Sequence, residues 1–81
     1  ALSRELLLIK IKIDAATRAE LREISDIYEA CIVDLAPGSM MIELTGTTQK
    51  IDAFLLNLRE YPILEMCRTG VTALERDSAV K

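Results

Sequence analysis

The order in which hydrophobic periodicity changes along this chain limits its fold more than any single residue does. Leu7, Ile9, Ile11 and Ile13 fall at every second position with Lys10 and Lys12 between them, the pattern of a strand with one face buried. Leu21, Ile24, Ile27, Tyr28 and Cys31 follow at three- and four-residue steps, the stripe of a helix lying on a sheet, and Arg18, Arg22, Glu23 and Glu29 fall off that stripe. Two short apolar runs, Cys31 to Leu35 and Met40 to Thr45, flank Ala36-Pro37-Gly38-Ser39, whose Pro-Gly pair marks a tight turn. Ile51, Phe54, Leu55 and Leu58 return to helical spacing as far as Arg59-Glu60. Pro62 stops that helix, Ile63 to Arg68 reads as strand, and Gly70 separates it from a last extended piece, Val71 to Leu74. The order predicts an α+β fold of the ferredoxin-like βαββαβ kind: a four-stranded antiparallel sheet with two helices on one face.

Local signals place the helix starts. Thr17 and Glu20 have the spacing of a capping box, with Asp14 as the alternative cap; Gly46 breaks the strand before the second helix, and Thr47 or Thr48 caps it. The 81 residues make one domain, expected over 4–76 with flexible ends at 1–3 and 77–81. A chain this short buries only about 60% of the surface its unfolded form exposes, so partner chains matter for its stability. With aromatics at 4%, the core must be aliphatic. The first residue is Ala and not Met, which suggests a fragment, a trimmed product or an incomplete record.

Composition excludes several functions. A net charge of −3 argues against a nucleic-acid footprint. No apolar run approaches the roughly 18 residues of a membrane span, and Ala1-Leu2-Ser3-Arg4-Glu5 lacks the architecture of a signal peptide, so a soluble intracellular protein is expected. There is no His, and Cys31 and Cys67 match no zinc or redox spacing; both are expected as buried small hydrophobes. No catalytic residue, cofactor site or metal site can be assigned, since nucleophile elbow, phosphate loop and paired acids are all missing. Glu43 and Glu65 read as surface strand carboxylates.

What remains is the face of the sheet that the helices leave uncovered. Leu8, Lys10 and Lys12 should lie there beside Met41, Glu43 and Thr45, an apolar centre with charges around it, which is the make-up of a subunit contact. Of the methionines, Met40 and Met66 are expected in the core and Met41 at the surface. Arg68, in Arg68-Thr69-Gly70, is either a contact to a partner's carboxylate or phosphate or the partner of a nearby acid such as Glu65.

Arg4-Glu5-Leu6-Leu7-Leu8-Ile9-Lys10, Ala19-Glu20-Leu21, Ile32-Val33-Asp34-Leu35, Ile42-Glu43-Leu44-Thr45-Gly46 and Arg68-Thr69-Gly70 together resemble the C-terminal half of acetolactate synthase small (regulatory) subunits, over about Arg4 to Glu75. No single word is specific; the five in this order are. The resemblance implies a second, ACT-like domain following an ACT domain, and a role without catalysis. Its expected partners are the large catalytic subunit, which holds thiamine diphosphate, magnesium and usually FAD, and further copies of itself in a homodimer or higher oligomer. It also implies activation of that subunit, sensitivity to valine, and a place in branched-chain amino-acid biosynthesis, in the cytoplasm or, in a plant or alga, the plastid. Two departures stand out: Tyr61-Pro62 where a Phe-Gly type turn is common, and Cys31 and Cys67 where other small or aliphatic residues are usual. The loop that binds effectors in ACT domains corresponds to Asp14, Ala15, Ala16 and Thr17, which contain no glycine, so the upstream domain is the better candidate for valine. A free-standing ACT-type amino-acid sensor is the alternative.

Overall fold

The computed structural model describes residues 4–69. The expected last extended piece, Val71 to Leu74, and the expected flexible ends lie outside the described residues. The elements run β1 (Glu5–Lys12), α1 (Ala15–Tyr28), β2 (Cys31–Ala36), β3 (Ser39–Gly46), α2 (Thr48–Asn57) and β4 (Ile63–Arg68). The strands form one antiparallel sheet in the order β2-β3-β1-β4, the expected ferredoxin-like, ACT-type fold.

The period of two in β1 puts Leu7, Ile9 and Ile11 on one face, opposite Leu44, Ile42 and Met40 of β3 in register. All six are at most 1% exposed. Leu21 of α1 and Ile51, Phe54 and Leu58 of the α2 region close over them, also fully buried. Tyr28 meets Phe54 edge-on at 5.3 Å between ring centroids, the geometry aromatic quadrupoles favour. The helices therefore cover one face of the sheet and leave the other open.

Asp14, with extended backbone, caps α1: its carboxylate accepts from the Thr17 amide, and the Thr17 hydroxyl accepts from the Asp14 amide. The capping box is thus Asp14 with Thr17, and the Thr17–Glu20 pairing is corrected. A Thr one turn inside the helix answers Asp14 directly, while Glu20 is drawn to Tyr61. At the other end Glu29 takes the left-handed conformation (φ 59°) with its amide donating to Asp26 and Ser25 carbonyls. Ile27, placed on the buried stripe by spacing, is 73% exposed. Tyr28 and Ile24 fill that end of the helix instead.

The hairpin turns at Pro37-Gly38 between Ala36 and Ser39, which pair with each other. Thr47 caps α2 by accepting from the Lys50 amide at 3.2 Å. α2 ends at Asn57, short of Arg59-Glu60, because the Leu58 amide tightens onto the Leu55 carbonyl and the residue before Pro62 is barred from helical backbone. Irregularities in the outer ladders fall between Ile32 and Asp34 and between Lys10 and Ile11. Both edges of the sheet are thereby bent locally.

Candidate functional site

The open face is built by the residues that alternate with the core. Leu8 pairs with Glu43 and Lys10 with Met41 across β1 and β3. Beyond them β4 contributes Cys67 beside Leu8 and Glu65 beside Lys10, and β2 contributes Cys31 beside Glu43 and Asp34 beside Met41. The face is therefore a grid: Cys31, Glu43, Leu8 and Cys67 in one row, Asp34, Met41, Lys10 and Glu65 in the next. Leu8, Lys10, Met41 and Glu43 are half-buried by their neighbours, and Lys12 is exposed at the end of its strand. A shallow basin of about 370 Å³ is lined by Leu8, Lys10, Met41, Glu65, Met66 and Cys67. Among the described residues neither Lys10 nor Glu43 stands in an ion pair.

Two expectations are overturned here. Cys31 is exposed and Cys67 half-exposed, both as free thiols, because both lie on the open face and not in the core. Met66 is 52% exposed instead of buried, since β4 is an edge strand with only β1 beside it.

Arg68 lies apart from the other expected contact residues. It pairs with Leu7 in register, on the helix side of the sheet. Its Nε donates to Glu5 Oε1 at 2.5 Å and its Nη2 to Asp52 Oδ1 at 2.7 Å; the acid it meets is not Glu65. Thr48 donates to the other Glu5 oxygen at 2.8 Å. Glu5 is 7% exposed. The Arg68 hydrogen bond holds its carboxyl below the ordinary glutamate range, against a desolvation that pushes the other way. The charged groups thus tie β1, β4 and α2 together at one end of the domain. Sequence reasoning did not single out Glu5, although its parity gave the signal: it shares the buried side of β1 with Leu7, Ile9 and Ile11, and a carboxylate there needs a partner.

The candidate effector loop, Asp14 to Thr17, is self-satisfied. The Asp14 carboxylate accepts from the Thr17 amide at 2.9 Å, the main cause of its lowered pKa. The Thr17 amide of this loop thus already holds a carboxylate. Nearby, a hollow of about 450 Å³ lies between α1 and the α2–β4 connection, lined among others by Thr17, Glu20, Asn57, Arg59 and Tyr61. The Tyr61 hydroxyl donates to Glu20 Oε1 at 2.7 Å, which pushes its pKa up to about 12. Arg59 donates to the Leu56 carbonyl, and no thiol or imidazole lines the hollow. Among the described residues no group of three or more Asp, Glu or Cys stands where it would hold a metal ion. None of their helices is long and apolar enough to cross a membrane.

Comparison with known proteins bears on the chain as a whole. A profile of the family described as small subunit of acetolactate synthase matches residues 4–77. The acetolactate synthase small subunit of Mycolicibacterium smegmatis is 41% identical over 76 residues, covering 94% of this chain and 45% of that protein. Acetolactate synthase small subunit 2, chloroplastic, of Arabidopsis thaliana is 45% identical over 74 residues, covering 91% of this chain and 16% of that one. The crystal structure of the acetolactate synthase small subunit of Thermotoga maritima superposes with a TM-score of 0.79 at 32% identity, over 85% of this chain and 42% of that one. The chain thus spans less than half the length of these relatives, all named for the small subunit of the enzyme and not for its catalytic one. On identity, coverage and fold together, this chain belongs to the family of acetolactate synthase small subunits.

Proposed function

We propose that this chain is a regulatory domain that binds and activates the thiamine-diphosphate-dependent catalytic subunit of acetolactate synthase and helps transmit valine feedback inhibition in branched-chain amino-acid biosynthesis. The observation that carries the reading is the family match over residues 4–77. A sheet face with apolar and charged residues interleaved, and without catalytic groups, supports it. In this reading thiamine diphosphate, magnesium and FAD belong to the catalytic subunit. The domain also associates with copies of itself, and the complex works in the cytoplasm, or in the plastid in a plant.

Regulation then follows from linkage: a subunit that binds one arrangement of the catalytic subunit better than another shifts the population toward it, by no more than its differential affinity. Valine acts through an upstream ACT domain, because the Asp14–Thr17 loop is occupied by its own cap. The test is acetolactate formation by the matching catalytic subunit with and without a molar excess of this chain, each with and without valine. Activation that valine does not reverse is the expected result. No activation together with no complex by size exclusion removes the proposal for this domain, and valine-reversible activation moves the effector site into it.

A further inference from the structure

β4 has a neighbour on one side only. Among the described residues it pairs with β1 and with no other strand. At the two ends of that ladder the Thr69 amide donates to the Leu6 carbonyl and the Lys12 amide to the Pro62 carbonyl, so the even-numbered residues of β1 are the ones bonded to β4. Peptide groups along an antiparallel strand turn alternately to either side. Cys67 and Glu65, opposite Leu8 and Lys10, therefore direct theirs to β1, while those of Met66 and Arg68, opposite Ile9 and Leu7, point away from it. The side chains of this strand are apolar for much of its length: Ile63, Leu64 and Met66 are 43%, 49% and 52% exposed. An edge with outward peptide groups and apolar side chains, and with no proline or lysine within it, is of the kind that folded proteins cover.

The sequence supplies a cover at that place. Val71-Thr72-Ala73-Leu74, the extended piece expected after Gly70, is separated from the end of β4 by Thr69 and Gly70 alone. Glycine reaches positive φ without steric cost, which is what so short a reversal of the chain needs. Six residues, 71–76, at about 3.3 Å each match the length of the six in β4. The run ends in Glu75-Arg76-Asp77, charges of the kind that keep a new edge from pairing further.

We propose that residues 71–76 fold back antiparallel along the outer edge of β4 and pair with the peptide groups of Met66 and Arg68, closing that edge to other chains. The occupant is the chain's own segment because it is tethered at the end of the strand it covers. Its effective concentration there is millimolar, far above that of a separate strand in solution. Pairing within one chain also requires no particular partner, so the edge is covered as soon as the last residues are made.

The test reads amide hydrogen exchange by NMR in the whole chain. In the unaltered chain the Met66 and Arg68 amides are expected to exchange at least about ten-fold more slowly than in the double variant Thr72→Pro/Ala73→Pro, in which neither of two consecutive residues has an amide to donate. The Glu65 and Cys67 amides, which face β1, should stay protected in both and report that the fold survives. Of the two single variants, one should behave as the double variant and the other as the unaltered chain, because only every second amide of a strand faces its neighbour. Met66 and Arg68 amides that exchange equally fast in the unaltered chain and the double variant, or single variants with equal effects, overturn the proposal. Protection that rises with chain concentration overturns it in favour of a second copy on that edge. Protection that appears only when the catalytic subunit is added overturns it in favour of that subunit.

Discussion

The Arg68 guanidinium and the Glu5 carboxylate meet over 2.5 Å at the edge of the core, joining the first strand to the last described one. Removing the cation leaves a carboxylate that is 7% exposed without its strongest partner. Arg68→Met is therefore expected to destabilise the domain by about 3 kcal/mol, the usual cost of breaking a buried pair from one side. The double change Glu5→Leu/Arg68→Met should recover most of that loss, since no stranded charge remains. Urea titrations of the two variants decide between this and a merely superficial ion pair, for which the single change would be nearly silent.

The same pair sets the response to acid. Glu5 and Asp14 both titrate below their ordinary values of 4.5 and 3.8, Glu5 through Arg68 and Asp14 through the Thr17 amide. A depressed folded pKa adds stability that is fully present above the unfolded value and is lost as pH falls through the folded one. Stability should therefore be flat from neutrality to about pH 5 and fall steeply below pH 4.5. Glu5→Gln should flatten the acid limb, read from melting temperatures across that range.

At the opposite end of the alkaline scale, Tyr61 resists ionisation until about pH 12 because its hydroxyl donates to the Glu20 carboxylate. A raised pKa adds stability below the ordinary value of 10.0 that is lost as pH rises through the folded one. Ultraviolet absorbance titration should show one tyrosine ionising late in the native chain, and Tyr61→Phe or Glu20→Gln should abolish that late step.

Glu29 is held at φ 59°, where a side chain clashes with the backbone and glycine does not. Glu29→Gly is expected to stabilise the domain by roughly 0.5–1 kcal/mol, the left-handed strain relieved less the extra freedom glycine gives the unfolded chain. Thermal melts should show an upward shift, and a downward one would mean that the Glu29 side chain contributes more than the strain costs.

Asp14 tests the effector loop. Asp14→Ala removes the cap and should lower the melting temperature less than Arg68→Met does, because the site is exposed. Valine, leucine and isoleucine should leave the melting temperature of the unaltered chain unchanged, since a ligand that binds the folded state has to raise it.

The fold was legible where periodicity is strong. The alternation of Leu7, Ile9 and Ile11 gave both the strand and, through Leu8 and Lys10, the residues of the open face. Helix ends were less so: Thr17 answers two candidate partners in the sequence, and only the loop geometry selects Asp14 over Glu20. Cys31, Cys67 and Met66 were misplaced because residue type favours burial for all three, whereas the two cysteines lie on the open face and Met66 lies on an edge strand, neither of which can be read from the side chain. Arg68 was recognised as needing an acid, yet the choice of Glu5 over Glu65 depended on β4 lying beside β1 rather than on proximity along the chain.

The position of β1 between β3 and β4 has a bearing on how the chain comes to be folded at all. The centre strand is made first and its second neighbour last: the Leu6 amide waits for the Thr69 hydroxyl, 63 residues on. During synthesis one side of β1 therefore has no partner until nearly the whole described chain has emerged, and closing so long a loop is slow. A nascent chain stalled before Ile63 would present Leu7 to Ile11 as an open hydrogen-bonding edge. Such an intermediate offers its strongest strand to any neighbour that reaches it before β4 does.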